Sequence, residues 1–166
     1  MSKFWSSVVS GLKPYTPGEQ PKVPGLIKLN TNEHCLQPSR HAMAVLNAMT
    51  PEALRRYPDP ECTALRSAIA RCEGLSVAQV FVGNGSDEVL AHIFQGLLSS
   101  SQSLVTLDIT YSFYPVWAAL YGLQLKTESL HDDFSIDVNR LSAQKDSILI
   151  ANPNAPTGRA LALKDI

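Results

Sequence analysis

The chain has 166 residues, 45% of them hydrophobic and 17% charged, and its 14 basic and 15 acidic side chains give a net charge of −1 at pH 7. This composition is typical of a folded domain and excludes a disordered chain, and the balanced charge favours neither nucleic acid nor a membrane as a partner. Cys35, Cys62 and Cys72 have no CxxC spacing. We therefore expect reduced thiols in a cytoplasmic protein. The start, residues 1–12, is too polar for a signal peptide and too short for a membrane span.

The first part of the chain is predicted to contain little regular structure. Residues 4–12 favour a short amphipathic helix, which ends near Gly11. Residues 13–25 carry repeated prolines and two glycines, so they predict an extended arm that lies across another surface, possibly a second subunit. A short strand is expected over residues 26–29.

Two helices and a loop are predicted next. Ser39 is a candidate N-cap for the first helix, and Gly74 ends the second, which covers residues 62–72. Residues 51–60 between them predict a loop. The apolar side of the first helix is predicted to hold Ala42, Met43, Val45, Leu46 and Met49, and that of the second Leu65, Ala68 and Ile69.

A strand, a glycine turn and a helix are predicted around residues 80–98. Val80–Val82 suits the end of a buried strand, Gly83-Asn84-Gly85 forms a turn, and a helix with one apolar stripe begins near Ser86. The stripe consists of Val89, Leu90, Ile93, Phe94, Leu97 and Leu98. Free N–H groups and the helix dipole at such a turn suit a phosphate, although a tight connection with a good N-cap explains the pattern equally well.

Strands and helices alternate in the rest of the chain. Strands are predicted over residues 103–107, 123–127 and 147–151, and helices over residues 113–121, 138–141 and from 161 onward. This order predicts an α/β fold with a mostly parallel sheet. Ligands of such sheets bind beyond the carboxyl ends of the strands, so the loops after Val82, Leu107 and Ala151 should converge on one site.

The side chains in these loops narrow the ligand to a flat phosphorylated heterocycle. Tyr111 offers a ring for stacking, and Asn154 offers an amide for an oxygen atom of the ligand. Pyridoxal phosphate and a nucleotide both qualify, but GxGxxG fails because Glu88 holds the third glycine position, and GxxxxGK[ST] is absent. The plainer interpretations are a half-buried structural tyrosine and an asparagine that braces its own loop.

Other kinds of site find no support in the sequence. The histidines His34, His41, His92 and His131 show no metal-ligand spacing, and no GxSxG motif is present. A metal site is therefore not predicted.

Six segments, in order and with family-like spacing, identify the chain as similar to the histidinol-phosphate aminotransferases, which are fold-type-I pyridoxal-phosphate enzymes. The segments are Tyr15–Gln20, Lys28–Glu33, Arg56–Pro60, Gly83–Leu90, Asp108–Tyr114 and Asn152–Gly158. The resemblance implies the first part of a three-layer α/β/α large domain with an extended N-terminal arm. It assigns residues 1–34 to the arm and the start of a small domain, and residues 35–166 to an incomplete cofactor-binding domain.

The resemblance also implies roles for individual residues. Gly85, Ser86 and Asp87 would hold the cofactor phosphate, mainly through backbone N–H groups, and Tyr111 would stack on the pyridine ring. Asn154 would donate to the 3-oxygen of the ring. The commoner family form has asparagine directly before Pro-Thr-Gly, whereas alanine, Ala155, stands there in this chain.

Three further residues are implied to act at the edge of the site. Tyr57 would reach the cofactor phosphate of the neighbouring subunit, which makes a homodimer part of the site. Asn32 and Glu33 would lie near the small-molecule substrate.

The implied parent reaction transfers an amino group between histidinol phosphate and 2-oxoglutarate in histidine biosynthesis. It needs a lysine that forms a Schiff base with the cofactor, and in the family this lysine follows the Asn-Pro-Thr-Gly-type loop. The chain ends at Ile166, so we expect an amino-terminal fragment that carries no catalytic residue and is inactive alone. The alternative is a non-catalytic remnant that binds only a phosphate or a partner subunit.

Overall fold

The computed structural model describes residues 3–13, 18–98 and 103–166, which form two compact units. The described residues of Met1–Thr16 and Asn84–Ile166 form one unit, here called the sheet unit, and those of Pro17–Gly83 form the helical unit. The predicted boundary between residues 34 and 35 remains a prediction. The helices are α1 (Ser7–Gly11), α2 (Arg40–Asn47), α3 (Pro51–Leu54), α4 (Thr63–Glu73), α5 (Ser86–Gly96), α6 (Tyr114–Tyr121) and α7 (Val138–Ser142).

A three-stranded parallel sheet organises the sheet unit. Its strands are β1 (Ser103–Leu107), β2 (Gln124–Glu128) and β3 (Ser147–Ile148), in the order β2-β1-β3. The predicted strand over residues 103–107 is confirmed, the second is displaced by one residue, and the third is shorter than predicted. Parallel strands need a crossover, and α6 supplies the one between β1 and β2.

Side chains of the central strand alternate between two apolar clusters. Leu104 packs on one face with Phe94 of α5 and Ala118 of α6. Val105 and Leu107 pack on the other face with Leu141 of α7. Because both faces of β1 are covered by helices, the sheet lies in the middle of three layers.

Local signals set the start of α5 and the end of α6 as predicted. Gly85 precedes α5 with φ of 87°, and Gly122 follows α6 with φ of 69°. Pro115 lies in the first turn of α6, where its missing N–H has no intrahelical partner to lose. The predicted terminal helix is a 3₁₀ turn, Leu163–Asp165.

The helical unit contains the predicted helices and one that was not predicted. Ser39 Oγ accepts the N–H of Ala42 at 3.1 Å, which confirms the N-cap of α2, and Gly74 ends α4 with φ of 68°. The predicted loop over residues 51–60 begins instead with the short helix α3, because Thr50 Oγ1 caps it and Pro51 suits its first turn.

The apolar side of α2 is exposed, and the side of α4 predicted to face inward does so only in part, since Ala68 and Ile69 are half-buried. Val45 and Leu46 of α2 are 69% and 58% exposed, and Leu65 of α4 is 53% exposed. The prediction for Leu65 is wrong because α4 turns Arg66 and Ala70 inward, where the guanidinium donates to backbone carbonyls.

The strands predicted over residues 26–29 and 80–82 are absent from the part of the chain that the structure describes. A strand needs a neighbour to complete its hydrogen bonds. Val80 is buried, but its N–H donates to the Val77 carbonyl at 3.2 Å and its own carbonyl accepts from Arg66 Nε at 2.9 Å. Its hydrogen-bonding groups are therefore satisfied without a sheet. Among the described residues, no helix is long and apolar enough to cross a membrane.

Candidate cofactor site at the carboxyl edge of the sheet

The start of α5 presents backbone N–H donors directly after the predicted glycine turn, residues 83–85. Helix geometry leaves the first N–H groups of α5, at Ser86 and Asp87, without an intrahelical acceptor. Gly85 has a left-handed φ of 87°, and a Cβ built on it meets no atom within 4 Å, so space is open above it. The Glu88 carboxylate accepts the N–H of Asn84, which closes the turn before the helix.

Tyr111, in the loop after β1, contacts the start of α5. Its hydroxyl donates to Asp87 Oδ1 at 3.3 Å, and its half-buried ring meets that of Tyr114 edge to face, with 5.5 Å between the centroids. Burial raises the pKa of Tyr114. The packing against Tyr114 and the bond to Asp87 together fix the plane of the Tyr111 ring.

The Asn154 side chain, in the loop after β3, is 1% exposed and fully hydrogen-bonded. Its Oδ1 accepts from the Thr110 hydroxyl at 2.7 Å, and its Nδ2 donates to the Ile109 carbonyl at 2.8 Å and to Thr157 Oγ1 at 3.0 Å. These bonds join the loops after β1 and β3. The amide therefore braces both loops, whereas the plainer interpretation of the sequence expected it to brace only its own.

The predicted convergence of the loops is seen in these contacts. Asp87 bonds to Tyr111, and the neighbouring Thr110 bonds to Asn154, so one chain of contacts links the start of α5 to the loops after β1 and β3. An open cavity of about 230 Å³ lies beside Tyr111, between β1, β2 and the start of α6. Larger cavities of about 330 and 440 Å³ lie elsewhere, beside β3 and in the helical unit. The residues that line those two cavities include none of the residues predicted to bind the cofactor.

Asn32, Glu33 and Tyr57 lie in the helical unit. Asn32 has φ of 51°, a left-handed conformation that asparagine tolerates better than most residues. Glu33 pairs with Lys28, and that hydrogen bond holds the pKa of Glu33 below its usual value. Tyr57 is 100% exposed, directly after Arg55 and Arg56, which both pair with Glu52.

Sequence reasoning missed three side chains that hold these segments. Thr110 anchors Asn154, Glu88 accepts from Asn84, and Arg66 donates to the carbonyls of residues 77 and 80. Glu88 had a signal, since an acidic residue three positions after an N-cap often bonds back to the turn. Thr110 and Arg66 act across long sequence separations, so no local pattern points to them.

Comparison with known proteins gives the class to which this fold and site belong. The model of the aminotransferase class I and II family matches residues 24–166, so the chain belongs to that family. A histidinol-phosphate aminotransferase of Aromatoleum aromaticum is 52% identical over 170 residues, with 100% of this chain and 48% of the relative covered. A histidinol-phosphate aminotransferase 1 of Methylococcus capsulatus is 49% identical, with 100% and 46% covered. The resemblance read from the motifs is confirmed, and the chain spans about half the length of the curated relatives it matches.

Solved structures confirm the fold. A histidinol-phosphate aminotransferase of Sinorhizobium meliloti in complex with pyridoxal-5'-phosphate has a TM-score of 0.74 and 22% identity, over 94% of this chain and 44% of that chain. A histidinol-phosphate aminotransferase homologue of Erwinia carotovora has a TM-score of 0.73 and 24% identity, over 82% and 41%. At this identity the likeness establishes the fold and nothing further, and the predicted fold-type-I class is correct.

Proposed function

We propose that this chain forms the phosphate- and ring-binding part of a pyridoxal-phosphate site in an aminotransferase that acts on histidinol phosphate. The main support for this proposal is that hydrogen bonds link the start of α5, the Tyr111 loop and the buried Asn154 amide at one edge of a parallel sheet. The names of the relatives support the substrate. The reaction of the whole protein would transfer an amino group between histidinol phosphate and 2-oxoglutarate, in histidine biosynthesis.

The residues present suit each chemical part of this cofactor. The N–H groups of Gly85, Ser86 and Asp87 and the positive end of α5 suit the phosphate, and the glycine lets the anion approach the backbone. Asp87 would contribute through its N–H, because its carboxylate faces the Tyr111 hydroxyl. That carboxylate keeps the tyrosine ring oriented for stacking against a flat heterocycle.

Asn154 would donate to the 3-oxygen of the cofactor ring. Of its two amide hydrogens, one is given to the Ile109 carbonyl and the other to the Thr157 hydroxyl. We expect the ring oxygen to take over the hydrogen accepted by Thr157, since a hydroxyl can rotate to another partner and a backbone carbonyl cannot. When bound, the cofactor supplies an electron sink for bonds at the α-carbon of the substrate.

The remaining predicted partners complete the proposal. Full exposure of Tyr57 supports its contact with a second subunit, and hence a homodimer, while Asn32 and Glu33 would face the substrate. The three cysteines are free, which supports the proposed cytoplasmic location. Sedimentation of the protein with and without cofactor tests the dimer, and a monomer under both conditions would contradict it.

We propose that this chain alone is inactive. None of its lysines has the serine-rich surroundings in which the family carries its cofactor-bonding lysine; they are Lys3, Lys13, Lys22, Lys28, Lys126, Lys145 and Lys164. Amino transfer from histidinol phosphate above a no-enzyme control would overturn this proposal.

Binding of pyridoxine 5'-phosphate tests the cofactor site directly. This analogue keeps the ring and phosphate but lacks the aldehyde, so it does not react with surface lysines. We expect equilibrium dialysis to show binding of pyridoxine 5'-phosphate at least about tenfold tighter than that of pyridoxine, since charged hydrogen bonds to the phosphate are strong. Equal binding of the two would remove the phosphate site from the proposal.

Two glycine variants, each compared at its own unfolding midpoint, separate the site from general strain, because ψ is 168° at Gly85 and 27° at Gly122 and alanine is the more strained at Gly85. Gly85→Ala and Gly122→Ala both place a Cβ on a backbone with positive φ, 87° and 69°, and both have open space around the added atom. Gly122 follows α6, whose eight residues put it about 12 Å from the Tyr111 loop. We expect only Gly85→Ala to weaken binding of pyridoxine 5'-phosphate. Equal weakening by both variants would show that the effect is one of folding.

A further inference from the structure

The orientation of the Asn154 amide is determined by its surroundings. The Ile109 carbonyl has no hydrogen to donate, so the atom of Asn154 that faces it at 2.8 Å must be the nitrogen, Nδ2. The oxygen, Oδ1, therefore faces Thr110, whose hydroxyl donates to it at 2.7 Å. Among the described residues, Thr110 donates to this oxygen, which is buried with the rest of the Asn154 side chain.

The backbone bonds of the loop after β3 stay within the loop, and the Arg159 guanidinium links it to the Asp133 carbonyl. The N–H of Asn154 donates to the Arg159 carbonyl at 2.7 Å, and the N–H of Gly158 donates to the Asn154 carbonyl at 2.7 Å. These bonds fix the turn over residues 154–159 but do not tie it to the sheet. In the part of the chain that the structure describes, the Asn154 amide links this turn to the loop after β1 through its bonds with residues 109 and 110.

We propose that Thr110 is a positioning residue: its hydroxyl holds Asn154 Oδ1 so that the amide nitrogen is the edge offered to the ligand. Without this donor, the amide loses the partner of its oxygen, and the loop after β3 loses one of its two links to the loop after β1. Thr110 is outside the set of residues proposed above to touch the cofactor. The inference about the amide stands on the protein alone, and only its effect on the ligand rests on the proposed function.

Three threonine substitutions test the role of the hydroxyl. Thr110→Val removes it with little change of shape, and Thr110→Ser restores it. Thr106→Val is the matched control. The buried Thr106 hydroxyl also links β1 to the residue after β3, since it donates to the Leu149 carbonyl at 2.8 Å, but it does not bond to Asn154.

Hydrogen exchange of the unliganded chain is the first measurement. We expect Thr110→Val to speed exchange of the Asn154 and Gly158 amides by about tenfold, the loss of roughly one hydrogen bond. Exchange is compared with that of the Leu123 amide, which donates to Ala118 at the far end of α6. Thr110→Ser and Thr106→Val should leave the ratio of the Asn154 and Gly158 exchange rates to the Leu123 exchange rate unchanged. The proposal is overturned if Thr110→Val and Thr106→Val give the same ratio.

Titration of bound pyridoxine 5'-phosphate is the second measurement. A hydrogen bond from Asn154 Nδ2 favours the ionised 3-oxygen, so binding should lower the pKa of that hydroxyl, as seen in the absorbance of the ligand. Thr110→Val should reduce this shift, and Thr110→Ser should restore it. An unchanged shift in Thr110→Val contradicts the positioning role. If the wild-type chain binds no ligand, the proposed function fails, whereas the exchange ratios still decide whether Thr110 holds Asn154.

Discussion

Among the described residues of the sheet unit, Asn154 is the side-chain amide whose replacement by alanine should destabilise the chain most. The side chain is 1% exposed and makes three hydrogen bonds, with Thr110, Ile109 and Thr157. Each net bond contributes roughly 1 kcal/mol, and buried groups left without partners add to the loss. We expect the free energy of unfolding to fall by about 2–4 kcal/mol.

Urea unfolding measures this loss. The half-buried Trp117, whose ring packs edge to face on Phe113 with 5.1 Å between centroids, reports unfolding of the sheet unit by fluorescence. With a slope of about 2 kcal/mol per molar urea, the midpoint should fall by about 1–2 M.

Asn139→Ala is the control for Asn154→Ala. Asn139 is exposed on α7, and its replacement should change stability by less than about 0.5 kcal/mol. The reasoning is refuted if Asn154→Ala and Asn139→Ala have the same midpoint, because the buried amide would then contribute nothing that an exposed one does not.

Three further outcomes are expected. The pKa of Asp59 is lowered, first by the hydrogen bond from the Thr63 N–H at 2.7 Å. The stabilisation that Asp59 gives to α4 is therefore present above the usual carboxyl pKa and is lost as the pH falls through the lowered pKa of Asp59. NMR of the Thr63 amide should show this loss on acidification. If the Thr63 amide of Asp59→Asn showed the same pH dependence as in the wild type, the expectation would be contradicted. Glu88→Ala should free the Asn84 N–H and weaken binding of pyridoxine 5'-phosphate, with Glu88→Gln retaining most of it; equal losses in the two variants would exclude the hydrogen bond as the cause. The exposed apolar side of α2 should make the isolated chain prone to aggregation, and Leu46→Lys should reduce light scattering without lowering stability. A wild-type chain that stays monomeric at high concentration would contradict this expectation.

Local patterns in the sequence predicted the elements whose causes are local. The strand Ser103–Leu107 is a short apolar run, and α6 is bounded by Pro115 and Gly122, so both were predicted to within a residue. The glycine turn before α5 was predicted because Gly85 adopts a conformation that other residues avoid. The rule that loops meet at the carboxyl ends of parallel strands then predicted that the loops of Tyr111 and Asn154 converge, and the bond between Thr110 and Asn154 agrees with it.

The tertiary structure alone decided which groups satisfy one another across long separations. The predicted strand at Val80 is replaced by bonds to Arg66 and Val77, because a strand depends on a neighbour that its own residues do not encode. Thr110 and Asn154 are 44 residues apart, and their bond joins the loops that follow the paired strands β1 and β3. Local sequence patterns determine which polar side chains lie in the turns and at the strand ends. The tertiary structure determines which of these side chains form hydrogen bonds with one another.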